Sequence, residues 1–224
     1  MLIKELKLFT SNLNQQVHFY KNVIGLELIE LQDETVSFTV GDSILKFDYK
    51  EQITPYHFAV NIPYNQSNEA LVWLKDRVEI LKNGNDEIQH FTGINAKSIY
   101  FYDFEGNIVE FISRVNLGIL SKDKFSVDNL LNISEIGLAT EDIERDYNQL
   151  NSIVQLDIFN GTTERFCTVG DQNGLFIFVN KNIKDWFPTN DKAYSSPFEV
   201  TLVEGSKTHH IIYENEELME GTCK

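Results

Sequence analysis

The chain has 224 residues, 42% of them apolar, with 16 Phe and 9 Tyr, enough to bury a core and too many for a disordered chain. Its formal net charge of −15 argues against nucleic acid and anionic membranes as partners, because both need cationic contacts. The same charge fits either a cationic small ligand or plain solubility.

The opening run "MLIKELKLF" alternates apolar and polar residues, which predicts a strand with one buried face and not a basic, apolar leader. No apolar run reaches the roughly 20 residues of a membrane span. Cys167 and Cys223 lie in no CxxC pair and near no histidine at metal spacing. Both are expected as thiols in a reducing cytoplasm, which makes the predicted location cytoplasmic. Ser11 or Asn12 can cap a helix carrying Leu13, Val17, Tyr20 and Ile24, and Gly25 can end it in the left-handed conformation. The runs "LELIEL", "TVSFTV" and "SILKFDY" then read as strands, the last two parted at Gly41–Asp42. Together they make a β-α-β-β-β unit.

The pattern restarts with a strand "YHFAVNI", a helix "SNEALVWLKDRV", and strands "AKSIYFYD" and "NIVEFIS" joined at Glu105–Gly106–Asn107, with a further short strand hidden in "IQHFTG". It restarts again at "SEIGLATEDI" (134–143), which matches "KELKLFTSNL" (4–13) through Glu5 and Glu135, Leu8 and Leu138, and Thr10 and Thr140. A helix from Asp142 and strands "QLDIF", "RFCTV" and "LFIFV" follow. An irregular segment holding Trp186 and Pro188 leads to a hairpin, "FEVTLV" and "HHIIYE", turned at Gly205–Ser206. Three units and a stub without its helix result. Each is too small to bury its own face and must pair with another. The predicted fold class is α+β, with curved mixed sheets around a cup and the helices outside. The predicted organisation is a two-unit module over residues 1–115, a linker over 116–130, a degenerate module over 131–215 and a tail over 216–224.

Strand alternation sorts the polar residues by face. With Leu6, Leu8, Leu45, Phe47, Phe58, Val60, Val109 and Phe111 packed under helices, the opposite face receives Glu5, Lys7, Lys46, His57, Asn61 and Glu110. The runs "NQQVHFYKNVIGLEL" and "IYFYDFEGNIVEF" carry Phe19, Tyr20, Gly25, Leu26, Asp103, Gly106, Asn107 and Glu110. Here the chain resembles the vicinal oxygen chelate superfamily, which includes glyoxalase I, extradiol dioxygenases, fosfomycin-inactivating thiol transferases and bleomycin-resistance proteins. The resemblance covers residues 1 to about 115 well, and 131 to 215 in strand order and start motif only.

The resemblance implies a cup with ligands on the first and last strands of each unit. It assigns a divalent metal (Fe, Mn, Ni or Zn) to His57, Glu110 and Glu5. At the fourth position it departs from the pattern, because Lys46 cannot ligate a metal and can pair with Glu5. Glu110 and Glu5 are then the candidate acid or base groups. Lys46 or Lys7 would bind an anionic substrate group, and Asn61 faces the same cup. His90 is either a proton shuttle at the cup mouth or a surface-loop residue. His18 reads as exposed or capping, and His209 and His210 as structural. The second cup is expected to lack a ligand set, with Pro197 about where His57 lies. Trp186 and Phe187 are core or ligand-lining.

Three functions fit. One is a metal-dependent lyase or dioxygenase acting on a small molecule with vicinal oxygens, the second is a metal-free protein that sequesters a small ligand, and the third is a structural or regulatory module with an empty cup. Members of the resembled family often build the cup across a dimer, so a homodimer fits, but three units and a stub can also build it within one chain.

Overall fold

The computed structural model describes residues 1–222, so Cys223 lies outside the described residues. The first unit holds β1 (Leu2–Thr10), α1 (Leu13–Val17), β2 (Glu27–Leu31), β3 (Thr35–Val40) and β4 (Ser43–Tyr49). Asn12 caps α1 by accepting the Gln15 N–H at 3.2 Å. The helix continues in wider π-type turns over His18–Ile24 and stops at Gly25, whose φ of +90° suits glycine. The second unit holds β5 (His57–Ile62), α2 (Ser67–Lys75), the short β6 (Ile80–Leu81) and β7 (Gln89–Phe91), β8 (Ala96–Tyr102) and β9 (Ile108–Arg114). The third holds β10 (Asn132–Thr140), α3 (Ile143–Ile153), β11 (Ile158–Thr162), β12 (Phe166–Asp171) and β13 (Gly174–Asn180). The stub is β14 (Phe198–Glu204), β15 (Lys207–Glu214) and β16 (Glu217–Glu220), so part of the expected tail is a strand.

The units pair differently from the expected grouping. One sheet runs β16-β15-β14-β1-β4-β3-β2, joining the first unit to the stub. The other runs β11-β12-β13-β10-β5-β9-β8-β6, with β7 beside β8, joining the second unit to the third through the antiparallel pair β5–β10. The hydrogen-bonded sheets therefore cross the 1–115 and 131–215 division. The two junctions share one register. Leu6 faces Val200 and Ile136 faces Phe58, with a bulge one rung before Glu5 and before Glu135. A bulge repeated at matching positions marks the two junctions as copies of one design.

Both sheets and all three helices bury one apolar core. Leu6, Phe47 and Val200 come from the first sheet, Phe58, Ile136 and Phe178 from the second, and Tyr20, Leu74 and Leu150 from the helices. Alternation therefore leaves the polar face of each sheet pointing away from that core, as two separate cups. The 116–130 segment packs against α2: Phe125 and Leu130 are buried, Phe125 lies 5.5 Å from Trp73, and its N–H donates to Glu69 at 3.1 Å.

The "DFEGN" turn clamps two units together. Asp103 is buried and accepts from the Tyr20 hydroxyl at 2.8 Å and from the Asn107 side chain at 2.7 Å. Glu105 accepts from Ser11 N–H at 2.8 Å, Thr10 Oγ1 at 2.5 Å and Gln16 Nε2 at 2.8 Å. Asn107 in turn accepts the Tyr56 N–H at 2.8 Å, which sets the start of β5. These parts of the motif build structure, and their product is a fixed position for Glu110.

Candidate metal centre

The concave face of the second sheet brings His57, Glu110 and Glu135 together, with one ligand-type atom from each lying within 4.8 Å of the others. All three are buried, at 6%, 3% and 6% exposure. The register explains the cluster. Ala59 lies in line with Glu110 on one neighbouring strand and with Glu135 on the other. Side chains two residues apart share a face, so His57 joins them. The methyl of Ala59 floors the space between the two carboxylates and leaves it open.

The cluster fits a cation. His57 Nδ1 lies 3.3 Å from the Ile108 carbonyl, a geometry that assigns the proton to Nδ1. The opposite nitrogen, Nε2, then presents its lone pair to Glu110 Oε2 at 3.4 Å. A lone pair and a carboxylate oxygen repel unless a proton or a metal ion lies between them. Two buried carboxylates also need more positive charge than one arginine supplies. Burial and the charge of Glu110 push Glu135 up to about 7, although Arg114 and His57 pull it down.

Arg114 is fully buried and shares its face with Glu110, four residues earlier on β9. It reaches across β5, where its Nη2 pairs with Glu135 and its Nε donates to Asn61 Oδ1 at 3.2 Å. Asn61 also donates to the Gln172 carbonyl at 3.0 Å. Asn61 is thus on the expected face, but it is committed to holding Arg114.

Trp186 closes one side, its ring 5.1 Å from that of His57. It fits there because position 137 is glycine: a Cβ on Gly137 would stand 2.7 Å from the indole. Tyr100, opposite Glu110 in register, is buried, and its hydroxyl is held well above its ordinary range, by burial first and then by Glu110 and Glu135. The cavity over the cluster has a volume of about 550 Å³. His90 is exposed and lines it, and Phe91, Phe159, Phe166 and Phe187 add aromatic walls.

Glu5, Lys7 and Lys46 lie elsewhere, on the first sheet. Glu5 stands in register with Thr201 and Ile44, Lys46 pairs with Glu30 at 3.5 Å, and Lys7 pairs with Glu199 and Asp48. The geometry therefore groups Glu135, not Glu5, with His57 and Glu110. In this first cup Glu199, rather than Pro197, occupies the place of His57, because Val200 matches Phe58. His210 occupies the place of Glu110, opposite Thr201, and bonds Glu199 at 3.0 Å. Lys7 stands where the second cup has Gly137, and its ammonium answers the local carboxylates. Sequence reasoning had matched Glu135 to Glu5 but joined the wrong units. One signal pointed to Glu135: it is the single charge in the buried strand "NISEIGLAT", whereas Glu5 stands among lysines. The sequence marks Trp186 as core or ligand-lining without placing it at this site, and Arg114 carries no signal of a role there.

No protein-family model matches the chain. Over 146 residues, 59% of this chain and 94% of the relative, it is 29% identical to the metallothiol transferase FosB of Shouchella clausii. Over 108 residues, 45% of this chain and 74% of the relative, it is 26% identical to FosB of Staphylococcus epidermidis. Its fold matches that of a candidate dioxygenase from Bacillus subtilis with a TM-score of 0.64 at 14% identity, covering 98% of this chain and 84% of that one. It also matches a glyoxalase I mutant from Zea mays with a TM-score of 0.55 at 13% identity, covering 86% and 72%. Among the described residues, no helix is long and apolar enough to cross a membrane. By its repeated units and its curved sheets the chain has a glyoxalase-like fold, and it resembles proteins of the vicinal oxygen chelate superfamily.

Proposed function

We propose that the chain is a metal-dependent enzyme that acts on a small molecule bearing adjacent oxygens. The observation that carries this reading is the buried His57–Glu110–Glu135 cluster at the floor of a cavity. One imidazole and two carboxylates suit Mn(II), Fe(II), Ni(II) or Zn(II) and leave positions free on the cavity side. Such an ion would polarise a bound oxygen pair as a Lewis acid. The chain's own residues do the rest. Trp186 and Phe187 shield the floor from water. Tyr100 keeps its phenolic proton and can donate it in a hydrogen bond to a substrate oxygen. Arg114 occupies one oxygen of Glu135 and leaves the other for the cluster. The names of the relatives in sequence, all metallothiol transferases, support a metal and a small-molecule substrate.

A second reading has its own support. The Arg114–Glu135 ion pair and the His57–Glu110 contact can neutralise the cluster without a metal if His57 is protonated, leaving a small-ligand binding protein. Thermal melting separates the two. The enzyme reading expects Mn(II), Fe(II), Ni(II) or Zn(II) to raise the melting temperature of the wild type by several degrees, as tight binding to the native state does. It expects no such rise for Ala59→Leu, whose longer side chain fills the centre. Equal responses in both proteins, or none in either, would favour the metal-free reading.

A further inference from the structure

The cavity that holds the cluster has a second polar feature at a distance from it. Among its lining residues, Lys184 is the one lysine or arginine. It sits on the irregular segment two residues before Trp186 and is half-buried. Its ammonium lies 5.3 Å from the centre of the Phe166 ring and donates to the neighbouring Asp185 carbonyl at 3.2 Å. Among the described residues it forms no ion pair, although the chain carries 34 acidic residues against 19 basic ones. Burial first, and then Arg165, next to Phe166, hold the Lys184 ammonium below the ordinary lysine range, although Asp185 pulls it up. With no carboxylate within ion-pair distance and the Asp185 charge only partly offsetting burial, this ammonium favours an anion in the cavity.

The register gives the span. Glu135 stands opposite Leu175, and Phe166 stands opposite Val179, four residues further along β13. At about 3.3 Å per residue along a strand and about 4.8 Å between strands, the Phe166 position beside Lys184 is on the order of 15 Å from Glu135 along the sheet. The cavity wall is mostly apolar or aromatic, with Phe91, Phe159, Ile177 and Phe187, and Thr168 and Asn160 add polar groups to it.

We infer that Lys184 is the specificity residue for an anionic substrate. Such a substrate is elongated, with adjacent oxygens at the His57–Glu110–Glu135 end and a carboxylate or phosphate at the Lys184 end. This rests on the enzyme reading only for the oxygen-bearing end. The anionic end stands on the cavity and Lys184 alone. It moves the anion-binding role expected of Lys46 and Lys7 to a residue that lines the cavity.

The test uses two probes without vicinal oxygens, 2-naphthylacetate and its neutral isostere 2-naphthylacetamide, titrated calorimetrically into the full chain freed of metal, so that the carboxylate has no ion to bind, with Mn(II) uptake measured separately. The expected result is a preference of tenfold or more for the acid, kept in Lys184→Arg and lost in Lys184→Met. Equal binding of acid and amide to the wild type, or a preference that survives in Lys184→Met, would overturn the inference. The outcome separates the two claims. Acid preference in a chain that takes up no Mn(II) leaves the Lys184 site standing and removes the metal. Mn(II) uptake without acid preference does the reverse.

Discussion

Single residues decide how the two cups differ. Ala59 and Gly137 are small residues on the face of the candidate centre, and each makes a space. Ala59 opens the gap between Glu110 and Glu135, and Gly137 admits the Trp186 indole beside His57. In the other cup the matching positions are Thr201 and Lys7, and an ammonium fills the room that Trp186 takes here. Gly137→Ala tests this directly. The new methyl would stand 2.7 Å from the indole, with the His57 carbonyl at 3.1 Å on another side. Overpacking of this kind costs about 1–3 kcal/mol. Urea denaturation should show that loss, and the tryptophan emission should shift red as Trp186 moves toward water. A variant with unchanged stability and emission would show that the indole does not need the glycine.

At the scale of elements, strands and helices were legible in the sequence because their periodicities are local. The alternation of "LIKELKLF", the cap at Asn12, the stop at Gly25 and the hidden strand at Gln89–Phe91 all depend on neighbours in sequence. The role of the "DFEGN" turn was less legible, because its partners lie far away in the chain. Asp103 meets Tyr20 across 83 positions, and Glu105 meets Ser11 across 94. Burial pushes Asp103 up to about 6, although Asn107, Tyr20 and two backbone N–H groups pull it down. An acid whose pKa is raised on folding holds its proton more tightly in the folded state. Its stabilising contribution is therefore complete below about pH 4, near the unfolded pKa, and is lost as pH rises through 6. Asp103→Asn cannot titrate. The stability of the wild type relative to this variant should fall by on the order of 2–3 kcal/mol between pH 4 and pH 7. Parallel stability–pH curves for the two proteins would contradict the assigned shift.

At the scale of the whole molecule, the sequence repeat was visible but the partner of each unit was not. Glu5 and Glu135 hold the same place in their units and the same bulge precedes both, so local pattern treats them alike. What separates them is which strand pairs alongside, and that is a long-range choice. The second unit pairs forward with the third, so His57 and Glu110 meet Glu135. The first unit pairs with the hairpin at the far end, so Glu5 meets Thr201, and Glu199 and His210 take the places of His57 and Glu110. The face of Glu110 was therefore readable from alternation, and so was the candidate role of His57. The third member was not, because it required the topology.

The most direct test is the metal content of the full chain, purified without a histidine tag and loaded with Mn(II), for the wild type, Glu135→Gln and Glu5→Gln. The account predicts near-stoichiometric metal in the wild type and in Glu5→Gln. It predicts an affinity loss of more than ~100-fold in Glu135→Gln, beyond what a supporting residue would cost. Metal retained in Glu135→Gln and lost in Glu5→Gln would contradict it, and so would a wild type that binds none.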